Sequence, residues 1–321
     1  MPGARNHGRE HRPLAADYRL ITRGDFDGVV CAALLRSRGL VEDVSFAHPK
    51  DMQDGLVAVD EQVITANLPY VPGAHLVFDH HSSEAERTGA ITDGAYVNDP
   101  DAPSAARVIF EHFGGAEGFP DLDPALLAAV DRADSADFSR QDILDPTGWA
   151  LLSFVLDART GLGRFRDFRT PNALLLEKMI DLVRTLPIEE ILRDRDVSER
   201  VRLYFEQEAY FRQQLERCTR LAGDVAVVDL RSEDPIYAGN RFMVYALFPE
   251  VRVSVHCLRG LGDTTAFAVG KSILDRSSPV NVGQVCLAHG GGGHTGAGTC
   301  QVPGDLAEAT LASLLEALRT N

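Results

Sequence analysis

The fold is decided near the start of the chain, where residues 18–22 (YRLIT) are followed by residues 23–27 (RGDFD) and then by residues 28–38 (GVVCAALLRSR). A short apolar run followed by a longer run of helix formers predicts a buried strand and a helix, the first βα unit of a parallel sheet. Residues 62–66 (QVITA) and 75–78 (HLVF) predict two further strands. The first half of the chain is therefore expected to be a mostly parallel sheet flanked by helices, an α/β fold.

The rest of the chain changes character twice. Residues 172–220 are charged and helical in period, which predicts long helices. Further apolar runs predict four strands, over residues 225–230, 241–248, 251–258 and 264–270, and residues 306–318 predict a closing helix. A chain of this length is expected to form more than one domain. The predicted parts are a disordered lead-in (1–16), a catalytic domain (17–171), a helical connector (172–222) and a smaller C-terminal α/β domain (223–321).

The composition indicates which kinds of substrate and which cellular location suit the protein. The 47 acidic and 32 basic residues give a formal net charge of −15, which favours small anionic substrates or a short oligonucleotide over long duplex DNA. No apolar run reaches the roughly 18–20 residues that cross a bilayer, and the N-terminus lacks the apolar core of a signal peptide. The five cysteines are scattered and odd in number, which indicates a reducing compartment. We therefore expect a cytoplasmic protein that does not bind membranes.

Acidic and histidine side chains gather where elements of the first domain are predicted to end. Asp25 and Asp27 follow the first strand, and Asp79-His80-His81 follows the run 75–78. Open α/β sheets bind ligands at the carboxyl ends of their strands, and carboxylate with imidazole ligands suits a divalent metal such as Mn²⁺. Each cluster has a structural alternative. The first can be a turn with a helix N-cap, and the acidic residues 131–137 can be a solvated loop.

A glycine-rich segment near the C-terminus is the sharpest single signal. Four successive glycines end at His294, and a strand is predicted just beyond. Glycines allow the backbone to approach a ligand closely and to point several N–H groups at one anion, and a histidine can donate to the same phosphate. The alternative is a flexible linker. The histidines at both ends of the run favour a phosphate-binding segment.

Together these motifs, in this order, resemble the DHH/DHHA1 phosphoesterase superfamily. The resemblance spans residues 18–302 and is strongest to the exopolyphosphatase-like subgroup, related to RecJ nucleases and oligoribonucleases. It implies a hydrolase with one or two Mn²⁺ ions, or Mg²⁺ in their place, acting on a small nucleotide, a short oligonucleotide or polyphosphate. Bond cleavage would occur at a phosphodiester or phosphoanhydride.

The resemblance also assigns roles to individual residues. The implied metal ligands are Asp25, Asp27, Asn67, His80 and Asp134, with Asp131 as the alternative to Asp134. The implied catalytic residues are Arg23, Asp79 and His81, and the implied substrate-binding residues are Lys271, Ser272, Asn281, Gly291, Gly292, Gly293 and His294.

Two positions depart from the family pattern. Arg23 stands where a histidine is usual, and Asn67 where an aspartate usually bridges two ions. A guanidinium cannot ligate a metal, but its permanent charge can replace one electrostatically and bind a phosphate. We therefore predict an atypical centre that holds one ion. The alternative is a non-catalytic sensor that binds a nucleotide or phosphate on the same fold. The long helices of residues 172–220 leave a homodimer open.

Overall fold

The computed structural model describes residues 18–81 and 94–319. The predicted disordered lead-in at residues 1–16 lies outside this part. The chain divides into two compact units. The first contains Met1–Leu127 and Met179–Arg184, and the second contains Ala128–Lys178 and Thr185–Asn321.

The first unit is built on a parallel sheet. Its strands are β1 (Tyr18–Arg23), β2 (Val41–Ala47), β3 (Val63–Ala66), β4 (Leu76–Asp79) and β5 (Tyr96–Asn98). They lie in the order β2-β1-β3-β4-β5, and each neighbouring pair is parallel. The pairing of Leu20 with Ile64, and of Ile64 with Leu76, puts β1, β3 and β4 side by side. The carboxyl ends of these three strands therefore meet at one edge, and the predicted α/β fold is confirmed.

Helices complete the first unit. They are α1 (Phe26–Ser37), α2 (Pro49–Gln53), α3 (Ala105–His112) and α4 (Gly115–Gly118), and α5 (Pro124–Asp134) begins there and ends in the second unit. Helix α1 is buried over its first ten residues, which are mostly apolar and small. A helix that is apolar on nearly all sides has to be enclosed, so α1 lies in the interior and its first turn is fixed by packing.

The second unit begins with helices. They are α6 (Arg140–Leu144), α7 (Gly148–Leu156), α8 (Asn172–Thr185), which also contributes to the first unit, α9 (Ile188–Arg193) and α10 (Arg195–Cys218). Lys178 ties three of them together, since its Nζ donates to Asp194 at 2.6 and 2.7 Å and to Asp196 at 2.7 Å. Three helices thus occupy the stretch for which long helices were predicted.

A second sheet follows. Its strands are β6 (Thr219–Ala222), β7 (Val225–Asp229), β8 (Val253–Arg259), β9 (Thr264–Lys271), β10 (Gly292–Gly293) and β11 (Ala297–Pro303), in the order β10-β11-β9-β8-β7-β6. Strands β7 and β8 are parallel, and the other neighbours are antiparallel. Helices α12 (Val282–Leu287) and α13 (Ala307–Leu318) pack on one face. The other face carries a second apolar core with α10 and α11 (Met243–Leu247).

One strand prediction is wrong. Residues 241–248 were expected to be a strand, whereas Met243–Leu247 form helix α11. A short apolar run has no periodicity that separates a strand from a buried helix. Tertiary contacts decide the outcome here, since the Tyr245 hydroxyl lies 2.8 Å from both Ser254 Oγ and the Gly270 carbonyl oxygen. These contacts hold α11 against strands β8 and β9.

The predicted domain boundaries at residues 171 and 222 stay predictions, because compact units need not coincide with domains. Within residues 18–81 and 94–319, no helix is both long and apolar enough to cross a membrane. The cytoplasmic location also stays a prediction.

Candidate metal centre and phosphate-binding segment

Asp25 and Arg23 form an ion pair at the end of β1. Arg23 Nε lies 2.9 Å from Asp25 Oδ2, and Asp25 Oδ1 accepts the Gly28 N–H at 3.0 Å as the N-cap of α1. The turn also requires a glycine, because a Cβ at Gly28 would lie 1.9 Å from the Arg23 carbonyl oxygen. The structural alternative for this motif, a turn with an N-cap, is therefore present, and it places the Arg23 guanidinium beside the carboxylate.

Asp27 is buried in the first turn of α1, with 2% of its surface exposed. Its two carboxylate oxygens accept the backbone N–H groups of Ala105, at 3.0 Å, and Ala106, at 2.9 Å. These N–H groups belong to the N-terminus of α3, where the helix dipole favours a negative charge. Helix α3 thus holds the Asp27 carboxylate in a fixed orientation, and its N–H groups favour the ionised form of that carboxylate.

Asn67 has a backbone conformation that is uncommon for a residue with a side chain. It follows β3 with φ +54° and is 1% exposed. Its Nδ2 donates to Asp25 Oδ1 at 3.1 Å, whereas its Oδ1 is buried without a hydrogen-bond partner in the part of the chain that the structure describes. A buried acceptor without a partner costs about 1–3 kcal/mol. The orientation of this amide therefore leaves an oxygen that a cation can satisfy.

The Asp79-His80-His81 motif lies at the end of β4, and its two imidazoles have different hydrogen-bond partners. Asp79 is fully buried, and its Oδ1 accepts the His81 Nδ1–H at 2.6 Å. The Oδ2 of Asp79 is buried and has no partner among the described residues. His80 Nδ1 lies 3.2 Å from the Ala102 carbonyl oxygen, which can only accept, so the proton sits on Nδ1. In each neutral ring Nε2 is then the nitrogen with the lone pair.

Three of the predicted ligands lie close enough together to hold a metal ion. Asp27, His80 and Asp134 each offer one ligand atom, and these atoms lie within 4.8 Å of one another. Two carboxylates and one imidazole are ligands that Mn²⁺ accepts. Asp25 and Asp131 are not in this group. Since the buried oxygens of Asn67 and Asp79 also lack partners within residues 18–81 and 94–319, the residues fit a divalent cation.

The loop that follows Asp134, the last residue of α5, is held by two arginines. Ala136 has φ +52°, a left-handed conformation that a side chain disfavours. Arg276 donates to the carbonyl oxygens of Ser135, at 3.1 Å, and Ala136, at 3.0 Å. Arg132 Nε donates to the Asp137 carbonyl oxygen at 2.8 Å. Sequence reasoning missed Arg276, because a single arginine in a loop carries no motif.

Two backbone N–H groups of the glycine run already make hydrogen bonds within the protein, so not all of them are available to an anion. The N–H of Gly290 donates to the Leu287 carbonyl oxygen and that of Gly291 to the Cys286 carbonyl oxygen, both at 3.0 Å. Gly292 and Gly293 form β10, the edge strand of the second sheet. Part of the need for glycine is steric, since a Cβ at Gly291 would lie 1.9 Å from the Thr299 carbonyl oxygen. The Gly291 amide is therefore already in use, and the exposed side of this segment is formed by Gly293 and His294.

The other predicted substrate contacts have structural partners. Ser272 Oγ accepts the N–H groups of Leu274 and Asp275, and Asn281 is the N-cap of α12, with Oδ1 accepting the Gln284 N–H at 3.2 Å. Lys271 ends β9, and its Nζ donates to the Val280 carbonyl oxygen at 3.3 Å. Of this set, Lys271 retains N–H groups beyond this one bond, because an ammonium carries three donors.

Comparison with known proteins identifies a close relative of solved structure. No family model matches the sequence, and no curated protein matches it. The solved structure of the pGpG-specific phosphodiesterase PggH from Vibrio cholerae is 47% identical, with a TM-score of 0.80, and the match covers 94% of this chain and 98% of that one. RecJ from Thermus thermophilus, solved with Mn²⁺, is 18% identical with a TM-score of 0.52, over 96% of this chain and 53% of that one. An exonuclease RecJ bound to manganese is 17% identical with a TM-score of 0.50, over 96% and 92%. The two RecJ structures share the fold.

Proposed function

The chain belongs to the DHH/DHHA1 phosphoesterase family, and on this premise we propose that it is a divalent-metal-dependent phosphodiesterase acting on a linear dinucleotide such as pGpG. The observation that carries the proposal is the group formed by Asp27, His80 and Asp134. The 47% identity to a pGpG-specific phosphodiesterase supports the choice of substrate. The acidic net charge of −15 agrees with a small substrate in preference to a long duplex.

Asp27, His80 and Asp134 would hold one divalent ion, with the Asn67 amide oxygen as a neutral fourth donor. Mn²⁺ suits the mixture of oxygen and nitrogen ligands, and Mg²⁺ is the alternative. When bound, the ion neutralises phosphate charge and makes water more acidic. Asp25 was predicted as a further ligand. Its carboxylate accepts two hydrogen bonds and pairs with Arg23, so we propose that its role is to hold that guanidinium.

The other residues of the motif would handle charge and protons. The Arg23 side chain is 33% exposed, so its guanidinium can still receive a phosphate oxygen while Asp25 fixes its position. As a water oxygen bonds to phosphorus and the ester P–O bond breaks, the leaving oxygen needs a proton. His81 can supply it from Nε2 when protonated, and Asp79 on Nδ1 would stabilise that imidazolium.

In the second unit, Lys271 and His294 are the best-placed candidates for binding a substrate phosphate. Lys271 brings a permanent charge, and His294 lies exposed beside the glycine edge strand. Gly291, Gly292 and Gly293 would keep this edge free of side chains. Ser272 and Asn281 would act indirectly, by shaping the loop and α12.

An activity screen tests the proposal. Metal-free protein is supplied with Mn²⁺ or Mg²⁺ and offered pGpG, other dinucleotides, a cyclic dinucleotide and polyphosphate, with product release followed by chromatography. We expect Mn²⁺-dependent conversion of pGpG to GMP. Cleavage of polyphosphate alone would change the substrate class. Nucleotide binding without hydrolysis under every metal condition would establish the sensor alternative.

A further inference from the structure

The second unit contains a second group of polar side chains, none of which belongs to the glycine edge strand. Asn240 and Arg241 precede α11, and Asp157 and Arg159 follow α7. None of these four residues carries a role in the proposed mechanism. All four lie in the second unit.

Asn240 has a buried donor without an acceptor. The residue is 2% exposed, and its Oδ1 accepts the Phe242 N–H at 2.9 Å, which fixes the orientation of the amide. Its Nδ2 is buried and has no hydrogen-bond partner within residues 18–81 and 94–319. An unsatisfied buried N–H group costs about 1–3 kcal/mol, so such a group needs an explanation.

Arg241, the next residue, has the same feature. Its Nε is buried without a hydrogen-bond partner in the described chain, although its side chain as a whole is 31% exposed. Its guanidinium carbon lies 4.0 Å from the centre of the Phe242 ring, which fixes the plane of the group. The nearest acidic oxygen, Asp157 Oδ2, is 3.5 Å from Nε. Asn240 Nδ2 makes no hydrogen bond within the described residues, and Arg241 Nε has only this long contact, so donors on two successive residues indicate a shared acceptor.

The charge of the group also favours an anion. Asp157 is already bound by Arg159, whose Nε lies 2.7 Å from Oδ1 and 3.1 Å from Oδ2. One carboxylate thus faces two guanidinium groups. Burial and the neighbouring Arg159 lower the pKa of Arg241 to about 10, which still leaves it charged at neutral pH. Burial and the charge of Arg241 lower the pKa of His256 to about 4, so this imidazole adds no charge.

We propose that Asn240 and Arg241 form an oxyanion site that takes a phosphate group, with Arg159 supplying the second positive charge. Phosphate oxygens are pure acceptors, and a planar guanidinium matches them with parallel donors. None of its residues is one of the grouped ligands Asp27, His80 and Asp134, and the proposal does not depend on the proposed hydrolysis. Its ligand is either free inorganic phosphate or the phosphate of a nucleotide.

The decisive variant is Asn240→Asp. A carboxylate keeps the acceptor for the Phe242 N–H but replaces the unsatisfied donor by a negatively charged oxygen. Binding of inorganic phosphate, GMP and guanosine to protein in EDTA is measured by calorimetry, so that no metal contributes. We expect phosphate or GMP to bind wild type, and Asn240→Asp to weaken that binding at least ten-fold. Arg241→Gln should do the same, and it provides a second reading if one variant folds poorly.

Gln301→Glu is the matched control. It adds the same negative charge to an exposed residue of β11 in the same unit and should leave binding unchanged. Binding of inorganic phosphate identifies free phosphate as sufficient, and binding of GMP alone identifies the nucleotide. Guanosine binding as tight as GMP, wild type binding neither anion, or both variants binding like wild type would each overturn the proposal. Because every arm is free of metal, a failure of the hydrolysis proposal leaves these results unchanged.

Discussion

Asn67 donates its Nδ2 hydrogen to Asp25 Oδ1 over 3.1 Å, in a place where two carboxylates would repel one another. The bond fixes which end of the amide points away from Asp25. The other end, Oδ1, is the buried oxygen that lacks a partner in the described chain. An asparagine here thus stabilises the site before any ion arrives, at the expense of the negative charge that would attract a second ion.

Asn67→Asp tests this relationship. The new carboxylate would face Asp25 without a donor between them, so we expect metal-free protein to lose about 1–3 kcal/mol of folding free energy. Mn²⁺ should restore the loss, and the dissociation constant for Mn²⁺ should fall about ten-fold, since a charged oxygen binds a hard cation better than an amide. Thermal melts with and without Mn²⁺ check both effects. Asn67→Ala, which lacks any acceptor, should be destabilised in both conditions. A melt of Asn67→Asp that is unaffected by Mn²⁺ would contradict the expectation.

Arg23→Ala should reduce kcat/KM for pGpG about 10²-fold, because a donor aimed at developing phosphate charge is removed. Arg23→His should instead raise the number of Mn²⁺ ions bound per chain, measured by elemental analysis. Arg19→Ala is the matched control, since Arg19 lies on the same strand and pairs with Asp60 at an exposed site. Wild-type kinetics in Arg23→Ala would remove the guanidinium from the mechanism.

Arg276→Ala should loosen the loop directly after Asp134, because the carbonyl oxygens of Ser135 and Ala136 lose their shared donor. We expect the dissociation constant for Mn²⁺ to rise about ten-fold, about 1.4 kcal/mol, with kcat recovering at saturating Mn²⁺. Arg276→Lys should recover part of the affinity. Arg259→Ala removes a comparable donor, from Arg259 to the Arg231 carbonyl oxygen, and should leave Mn²⁺ binding unchanged. Hydrogen exchange at residues 135–137 reports the loop directly, even without metal.

His294→Ala should raise the KM for pGpG about ten-fold and leave the dissociation constant for Mn²⁺ unchanged, because His294 lies beside the glycine edge strand and is not one of the three grouped ligands. His289→Ala is the control at the other end of the same run, where the ring lies 3.4 Å from Ser313 Oγ. Equal weakening of substrate and metal binding would make the C-terminal segment a structural element instead.

Acidification from pH 6.5 to 4 should destabilise the fold through His256. Burial and Arg241 lower the pKa of this imidazole to about 4 in the folded state, against about 6.5 when unfolded. The unfolded chain therefore binds the proton first, so stability is retained above pH 6.5 and lost as the pH falls towards 4. Denaturant unfolding measured across this range should show that the free energy of unfolding depends less on pH in His256→Gln than in wild type. Asp196, whose pKa is lowered by Lys178 and Arg169, should respond only at lower pH.

Strands β1, β3 and β4 of the first sheet, and the order of their motifs, could be predicted from the sequence, because an apolar strand followed by polar residues is a local pattern. Strands β2 and β5 were not predicted. Helix α11 could not, because a short apolar run fits a strand and a buried helix equally well. The role of Arg276 could not be predicted either. Its partners, Ser135 and Ala136, lie about 140 residues away in the chain. A hydrogen bond to a backbone carbonyl oxygen also requires no particular residue type at the acceptor.

The amino-acid sequence alone established that acidic and histidine residues stand near the ends of β1, β4 and α5, and its resemblance to the DHH/DHHA1 family made Asp27, His80 and Asp134 candidates for one ion. Only the tertiary structure decided that their ligand atoms lie within 4.8 Å of one another and that Asn67 turns its amide nitrogen to Asp25. It also decided that, among the described residues, Asn240 Nδ2 and Arg241 Nε are buried without a hydrogen bond. The physical reason is that residue order sets the alternation of strands and loops, whereas packing sets which polar atoms lose water and which partners remain within reach.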